Sequence, residues 1–272
     1  TLAGLVAEYV GTLNIALEGL ILLGAFTYVA AGAHFGAVAG VVLAVLLASA
    51  TAWAADAFAR RTRADTFVVG LAVNMMVPAV TSMASLYVLG TKGVVAVRAV
   101  QSPVVLASLA DMPFSGWMAA HRLSDYLALL AALTMAVVLG RTPFGLRARA
   151  LGMNIDAVRM AGLDACRVRS VAYAMSGLAA GIAGVALAAS IGAWVPGMSA
   201  GRGWIALVAV YLGGKTLVGS MLASVLFAML LSLATTAQGF SGIPPEVLMA
   251  LPYFAAVMVV VASAAGRRSA QK

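Results

Sequence analysis

The sequence predicts an all-α, polytopic transmembrane bundle of about seven to nine spans. Three observations carry that prediction. Hydrophobic residues fill 63% of the 272 positions and charged residues only 10%, whereas soluble domains carry roughly 25% charged residues. Apolar runs of about 20 residues, the length a helix needs to cross a bilayer, occupy most of the chain, and its mean hydropathy is +1.04. Finally, the basic residues gather in a few short hydrophilic stretches between those runs.

The spans read as 10–31, 36–59, 66–90, 124–140, 171–193, 198–214, 216–236 and 247–265. The 124–140 and 198–214 segments are near the lower length limit and are open to reading as tilted, broken or re-entrant pieces. Loop 60–65 holds Arg60, Arg61 and Arg63 against Asp65, and 141–169 has a net charge of +4. The tail adds Arg267, Arg268 and Lys272, while 32–35 and 237–246 hold no Lys or Arg. The positive-inside rule therefore puts 60–65, 141–170, Lys215 and the C-terminus in the cytoplasm, and the long 91–123 segment outside. The expectation is a multi-pass inner (plasma) membrane protein forming a single transmembrane domain over 1–272. The chain begins at Thr1 without an initiator Met or a visible leader, so its native start is expected upstream.

Composition also excludes. The net charge of +8 would suit nucleic acid, but its placement in loops between spans is the membrane pattern, so no nucleic-acid partner is expected. Cys166 is the one cysteine, which rules out an intrachain disulfide and a multi-cysteine metal site. Gly214-Lys215-Thr216 looks like the end of a phosphate loop, yet the position of its first glycine holds Ala209. His34 and His121 lack ligand partners at metal spacing. No catalytic residue, metal or cofactor is expected in this chain; if ATP drives the protein, a partner subunit binds and hydrolyses it.

Three segments carry chemistry. Asn14-Ile15-Ala16-Leu17-Glu18-Gly19 lies in the first apolar span, and on a continuous helix Asn14 and Glu18 would share a face. A carboxylate in hydrocarbon must meet a cavity, a polar partner or a freed backbone amide. A discontinuous helix beside a translocation path and a buried network that pins packing both satisfy that demand. Asn74, inside the next-but-one span, is open to the same two readings, so Asn14, Glu18 and Asn74 are the candidate pathway residues. The third segment, 145–169, is glycine-punctuated and basic, with Asn154 placed to cap a short helix over 156–161. It suits a docking surface, with Gly145, Arg147, Arg149, Gly152, Asn154, Ala161 and Gly162 as its candidate residues. Gly177 and Gly181 then share one face of the following span and permit close helix crossing.

Read in order, these motifs form a recognisable set. It comprises 14–19, Val68-Val69-Gly70-Leu71-Ala72-Val73-Asn74, Gly145-Leu146-Arg147-Ala148-Arg149-Ala150-Leu151-Gly152-Met153-Asn154, Ser176-Gly177-Leu178-Ala179-Ala180-Gly181 and Ala200-Gly201-Arg202-Gly203-Trp204-Ile205-Ala206. The set resembles the ABC importer permeases that serve ribose-like sugars and nucleosides, over about residues 4–268. Stretches 14–19 and 198–206 are most similar to the nucleoside permeases. The resemblance implies an ABC importer permease fold working by ATP-driven alternating access, with 145–169 as the coupling segment. It implies an ATP-binding cassette subunit, a second permease subunit, identical or different, and an external solute-binding protein as partners, besides membrane lipid. A permease for ribose, galactose or another simple sugar is the alternative within the family. An ion-coupled secondary transporter would show inverted repeats with paired broken helices, and no second copy of the 14–19 pattern is visible.

Overall fold

The computed structural model describes residues 1–97, 100 and 122–237. Its helices are α1 (Leu2–Tyr9), α2 (Leu17–Phe35), α3 (Ala37–Thr62), α4 (Thr66–Leu89) and α5 (Leu123–Arg141), then α6 (Pro143–Met153), α7 (Ile155–Met160), α8 (Ala165–Ile191), α9 (Arg202–Leu212) and α10 (Leu217–Ala237). A small antiparallel pair joins β1 (Val95–Ala96) to β2 (Ala193–Trp194). Described residues thus form an all-α membrane bundle with one short clasp.

Helix boundaries follow from capping. Gly36, at φ +85°, ends α2 and opens α3, a conformation that needs no Cβ. Asp65 starts α4 by accepting from the Phe67 amide at 2.8 Å. Asp164 accepts from the Cys166 and Arg167 amides at 2.9 and 3.1 Å, so α8 begins at Ala165 rather than at the apolar limit near 171. Arg167 and Arg169 accordingly ride on helix, not loop.

α2 lies at the centre, enclosed by α3, α4 and α8. Small residues bring the backbones together. A Cβ on Gly24 would sit 2.8 Å from the Gly181 Cα, and one on Gly177 would strike the Ala48 carbonyl. One on Gly184 would strike the Ile21 carbonyl. Gly40, Ala44, Ala48 and Ala52 form the matching stripe on α3. Between membrane helices this packing supplies the attraction that water supplies elsewhere.

Six helices among the described residues are long and apolar enough to span a bilayer: α2, α3, α4, α5, α8 and α10. Two expectations change. The 10–31 span is not one helix, because the chain leaves helical form over 10–16 and α1 is a separate piece. The 198–214 segment yields only α9, whose 11 residues reach about 16 Å, short of a crossing. The 247–265 span and most of loop 91–123 lie outside the described residues. Six spans are therefore seen among the described residues, slightly below the seven to nine expected of the whole chain.

The crossing at Gly181 makes a direct prediction. Gly181→Leu forces α8 away from α3 and α2 and should lower stability by about 1–3 kcal/mol, read as a drop in melting temperature and in monodisperse yield; Leu178→Ala, on the exposed face, should leave both unchanged.

Candidate functional site

The interruption at 10–16 sits where α1, α2, α4, α8 and α9 converge. Gly11, at φ +77°, packs against the Gly152 Cα, so only glycine serves at both positions. The chain then bends back, and the Asn14 side chain accepts from the Ala16 amide at 3.1 Å. Its amide group donates to the Ser176 hydroxyl at 2.8 Å, and that hydroxyl donates to the Ala3 carbonyl at 2.7 Å. Asn14 therefore stitches α1, the break and α8 together. It does not share a helix face with Glu18, because it stands before the helix begins.

The first turn of a helix leaves amides without intrahelical partners. Ala16, the residue preceding α2, offers no side-chain cap. Asn74 of α4 supplies one from outside: its Oδ1 accepts from the Gly19 amide at 2.7 Å, and its Nδ2 donates to the Ile15 carbonyl at 2.7 Å. A Cβ on Gly70, one turn earlier in α4, would lie 3.2 Å from the Ala16 nitrogen. α4 is thus pressed onto the break.

Glu18 does for α9 what Asn74 does for α2. Gly201 and Gly203 donate their amides to Oε1 and Oε2 at 2.8 and 2.7 Å. Gly201, at φ +79°, is the residue before α9, and a Cβ on Gly203 would collide with the Glu18 backbone. One half-buried carboxylate so lies in the first turn of α2 and against the first turn of α9. Both helix N-termini carry partial positive charge, which an anion there offsets by about 0.3–2 kcal/mol at each.

The Arg-rich end of the bundle is built around Asp56, which is wholly buried. Its oxygens meet Arg60 Nε at 2.8 Å and Arg169 Nε at 2.6 Å. Arg169 also donates to Thr66 and Arg60 to Ser170, joining α3, α4 and α8. Removing one partner of such a pair costs about 3–5 kcal/mol. Sequence reasoning missed Asp56; the available signal was a lone carboxylate in an apolar span, four residues before Arg60. A cavity of about 890 Å³ opens beside it, floored by α6 and walled by Gly11, Thr12, Arg61 and Arg159.

Segment 145–169 folds as α6, α7 and the start of α8. Gly145 packs against the Leu139 carbonyl and Gly152 against the Tyr9 carbonyl; Arg149 lies over the Tyr9 ring, 5.4 Å from its centroid. Asn154 caps α7 by accepting from the Asp156 and Ala157 amides at 2.9 and 3.0 Å. Ala161 and Gly162, the latter at φ +75°, turn the chain into α8. Arg147 is exposed. Two apolar residues are strongly exposed beside them: Met153 is 87% and Met160 82% exposed, and neither was singled out from the sequence.

Gly214-Lys215-Thr216 forms the tight turn between α9 and α10. The amides of Gly213, Gly214, Lys215 and Thr216 are spent on the carbonyls of Ala209, Tyr211, Val210 and Gly213, so none is aimed at a phosphate. Lys215 instead pairs with Glu8 at 2.6 Å, and that hydrogen bond holds its ammonium above the usual lysine value. His/Cys/Asp/Glu clusters fit for a metal are absent among the described residues.

A multi-pass helical bundle with its chain broken at 10–16 and a basic two-helix segment at one end is the architecture of a polytopic membrane protein. Comparison with known proteins makes this specific. The family described as branched-chain amino acid transport system / permease component matches residues 1–262, and the chain belongs to it. It is similar to the nucleoside ABC transporter permease NupC of Lactococcus lactis subsp. cremoris, at 30% identity across 96% of this chain and 86% of that protein. It is 29% identical to the guanosine ABC transporter permease NupQ of Bacillus subtilis, across 95% and 85%. The putative glucose ABC transporter permease TsgC13 of Haloferax volcanii is 28% identical across 84% and 71%. No solved structure matches the chain.

Glu18 is the residue on which the junction can be tested. Gln in its place offers one acceptor oxygen to two amides, and Leu offers none; each unbonded amide costs about 1–3 kcal/mol. Melting temperature should fall in the order wild type, Glu18→Gln, Glu18→Leu, measured on the purified permease in detergent.

Proposed function

We propose that this chain is the transmembrane subunit of an inner-membrane ABC importer for nucleosides, acting as one permease domain with 145–169 as its coupling segment. The observation that carries the reading is the pair of bare methionines, Met153 and Met160, on helices α6 and α7. In this reading the two exposed methionines form part of a protein contact. Gly152 locks that loop against Tyr9 and the break, so a push on α6 reaches the junction within one residue contact. ATP hydrolysis belongs to a cassette subunit seated there. A second permease subunit, identical or different, and an external solute-binding protein complete the machine.

In this reading Asn14, Glu18 and Asn74 hold the broken-helix junction beside the path. Non-helical backbone at membrane depth survives only inside protein or along a water-filled route. Alternating access then consists of α6 and α7 shifting α1 and the break against α4 and α9. Gly145, Arg147, Arg149, Gly152, Asn154, Ala161 and Gly162 shape the coupling segment, its arginines facing acidic groups of the cassette. The nucleoside assignment draws on the two relatives named for nucleoside and guanosine transport; a simple sugar is the second reading, favoured by the glucose-named relative. The Arg-rich end and the C-terminus are cytoplasmic.

Three measurements test this. Met153→Asp with Met160→Asp should cut solute-stimulated ATP hydrolysis of the reconstituted transporter about tenfold or more, since burying one Met contributes about 1.5–3 kcal/mol; unchanged co-purification of the cassette would reject the docking assignment. Nucleoside, not ribose or glucose, should stimulate the wild-type complex. Sidedness is read from Cys166, which is exposed: an impermeant thiol reagent should label it in inverted vesicles and not in intact cells.

A further inference from the structure

A groove of about 470 Å³ runs between α3 and α8 at the Arg-rich end, sharing Arg60, Arg61 and Cys166 with the larger cavity and extending from there along the outer faces of both helices. Its α3 wall is Trp53, Ala57 and Arg61, spaced by four along one stripe; its α8 wall is Arg167, Ser170 and Val171. Trp53 and Val171 are both about half exposed although each lies in a membrane-spanning helix. The groove is therefore apolar where it enters the span and cationic where it leaves it.

Charge at the cationic end is in surplus. Arg60 is neutralised by Asp56, which it shares with Arg169. Arg167 reaches Asp164 at 3.1 Å, but their side chains are 87% and 50% exposed, and an exposed pair is weak, worth about 0–1 kcal/mol. Arg61 is exposed on the last turn of α3 and meets no carboxylate among the described residues. Two guanidiniums, a hydroxyl and a tryptophan thus frame a site that widens into an apolar slot.

We propose that this groove holds an anionic phospholipid, its phosphodiester between Arg61 and Arg167 with the Ser170 hydroxyl beneath, and an acyl chain along Trp53, Ala57 and Val171. Basic pockets between membrane helices on the cytoplasmic side recognise such headgroups, and tryptophan settles at the same depth. A soluble anion would use the guanidiniums but leave the apolar slot bare; a zwitterionic lipid would fill the slot but leave the charge unmatched. The site is independent of which solute the protein carries.

The test uses the full-length permease in detergent, titrated with dioleoylphosphatidylglycerol, dioleoylphosphatidylcholine or inorganic phosphate. Bound lipid is counted by native mass spectrometry and melting temperature is followed in parallel. Phosphatidylglycerol should be retained about tenfold or more over phosphatidylcholine and should raise the melting temperature, with inorganic phosphate giving no rise. Arg61→Ala with Arg167→Ala should abolish the preference, whereas Arg63→Ala, an exposed arginine outside the groove, should keep it. Equal retention of the two lipids, a matching rise with phosphate alone, a preference surviving in the double variant, or its loss in Arg63→Ala would each overturn the assignment. So would exclusion of phosphatidylglycerol by a second protein subunit seated over Trp53.

Discussion

Backbone amides freed inside a membrane must be bonded, because hydrocarbon offers them nothing. In this chain the demand is met by reciprocal capping between helices: Asn74 closes the start of α2, and Glu18, from that same start, closes α9. α2 is the central helix, so those bonds fix α4 and α9 relative to everything packed on it. Asn14 extends the tie through Ser176 to α8 and α1. Five elements are placed by three polar side chains, all between positions 14 and 74.

The junction also explains why its neighbours are so small. Gly70, Gly152 and Gly203 each bring a helix or loop to backbone distance of residues 9–18, and a larger residue at any of them would lengthen bonds that have little slack. On the other side of α2, Gly24, Gly181 and Gly184 achieve the same with α8. Polar ties and glycine contacts are two parts of one arrangement. The glycines permit the approach, and the side chains of Asn14, Glu18 and Asn74 convert it into a defined register.

Much of this was legible in the sequence where apolarity and helix length coincide. α4, α5 and α10 end within a residue or so of the apolar limits, and Asn154 announces α7 because a cap is a local matter. The 10–31 run misleads because hydropathy reports preference for lipid, not whether the backbone bonds to itself; Gly11, Thr12 and Asn14 are the few residues that mark the break. α8 hides its first two turns in a charged stretch, since Asp164 rather than apolarity begins it. The long-range pairings of Asp56 and Glu18 were unreadable for another reason. Their partners, Arg169 and the amides of Gly201 and Gly203, lie more than a hundred residues away, and no local pattern encodes such a pairing.

The position of α2 bears on how the protein is made. It is the least apolar of the six spanning helices and the most sheltered, whereas α3, joined to it through Gly36 alone, is among the most apolar and faces outward. A segment carrying Glu18 partitions poorly into lipid by itself. Biogenesis therefore favours release of α2 and α3 from the insertion machinery as a hairpin, with the outer helix carrying the inner one. Glu18 must then wait unbonded while some 180 further residues are synthesised before Gly201 arrives, which makes the interval before α9 is complete the vulnerable stage in the life of this chain.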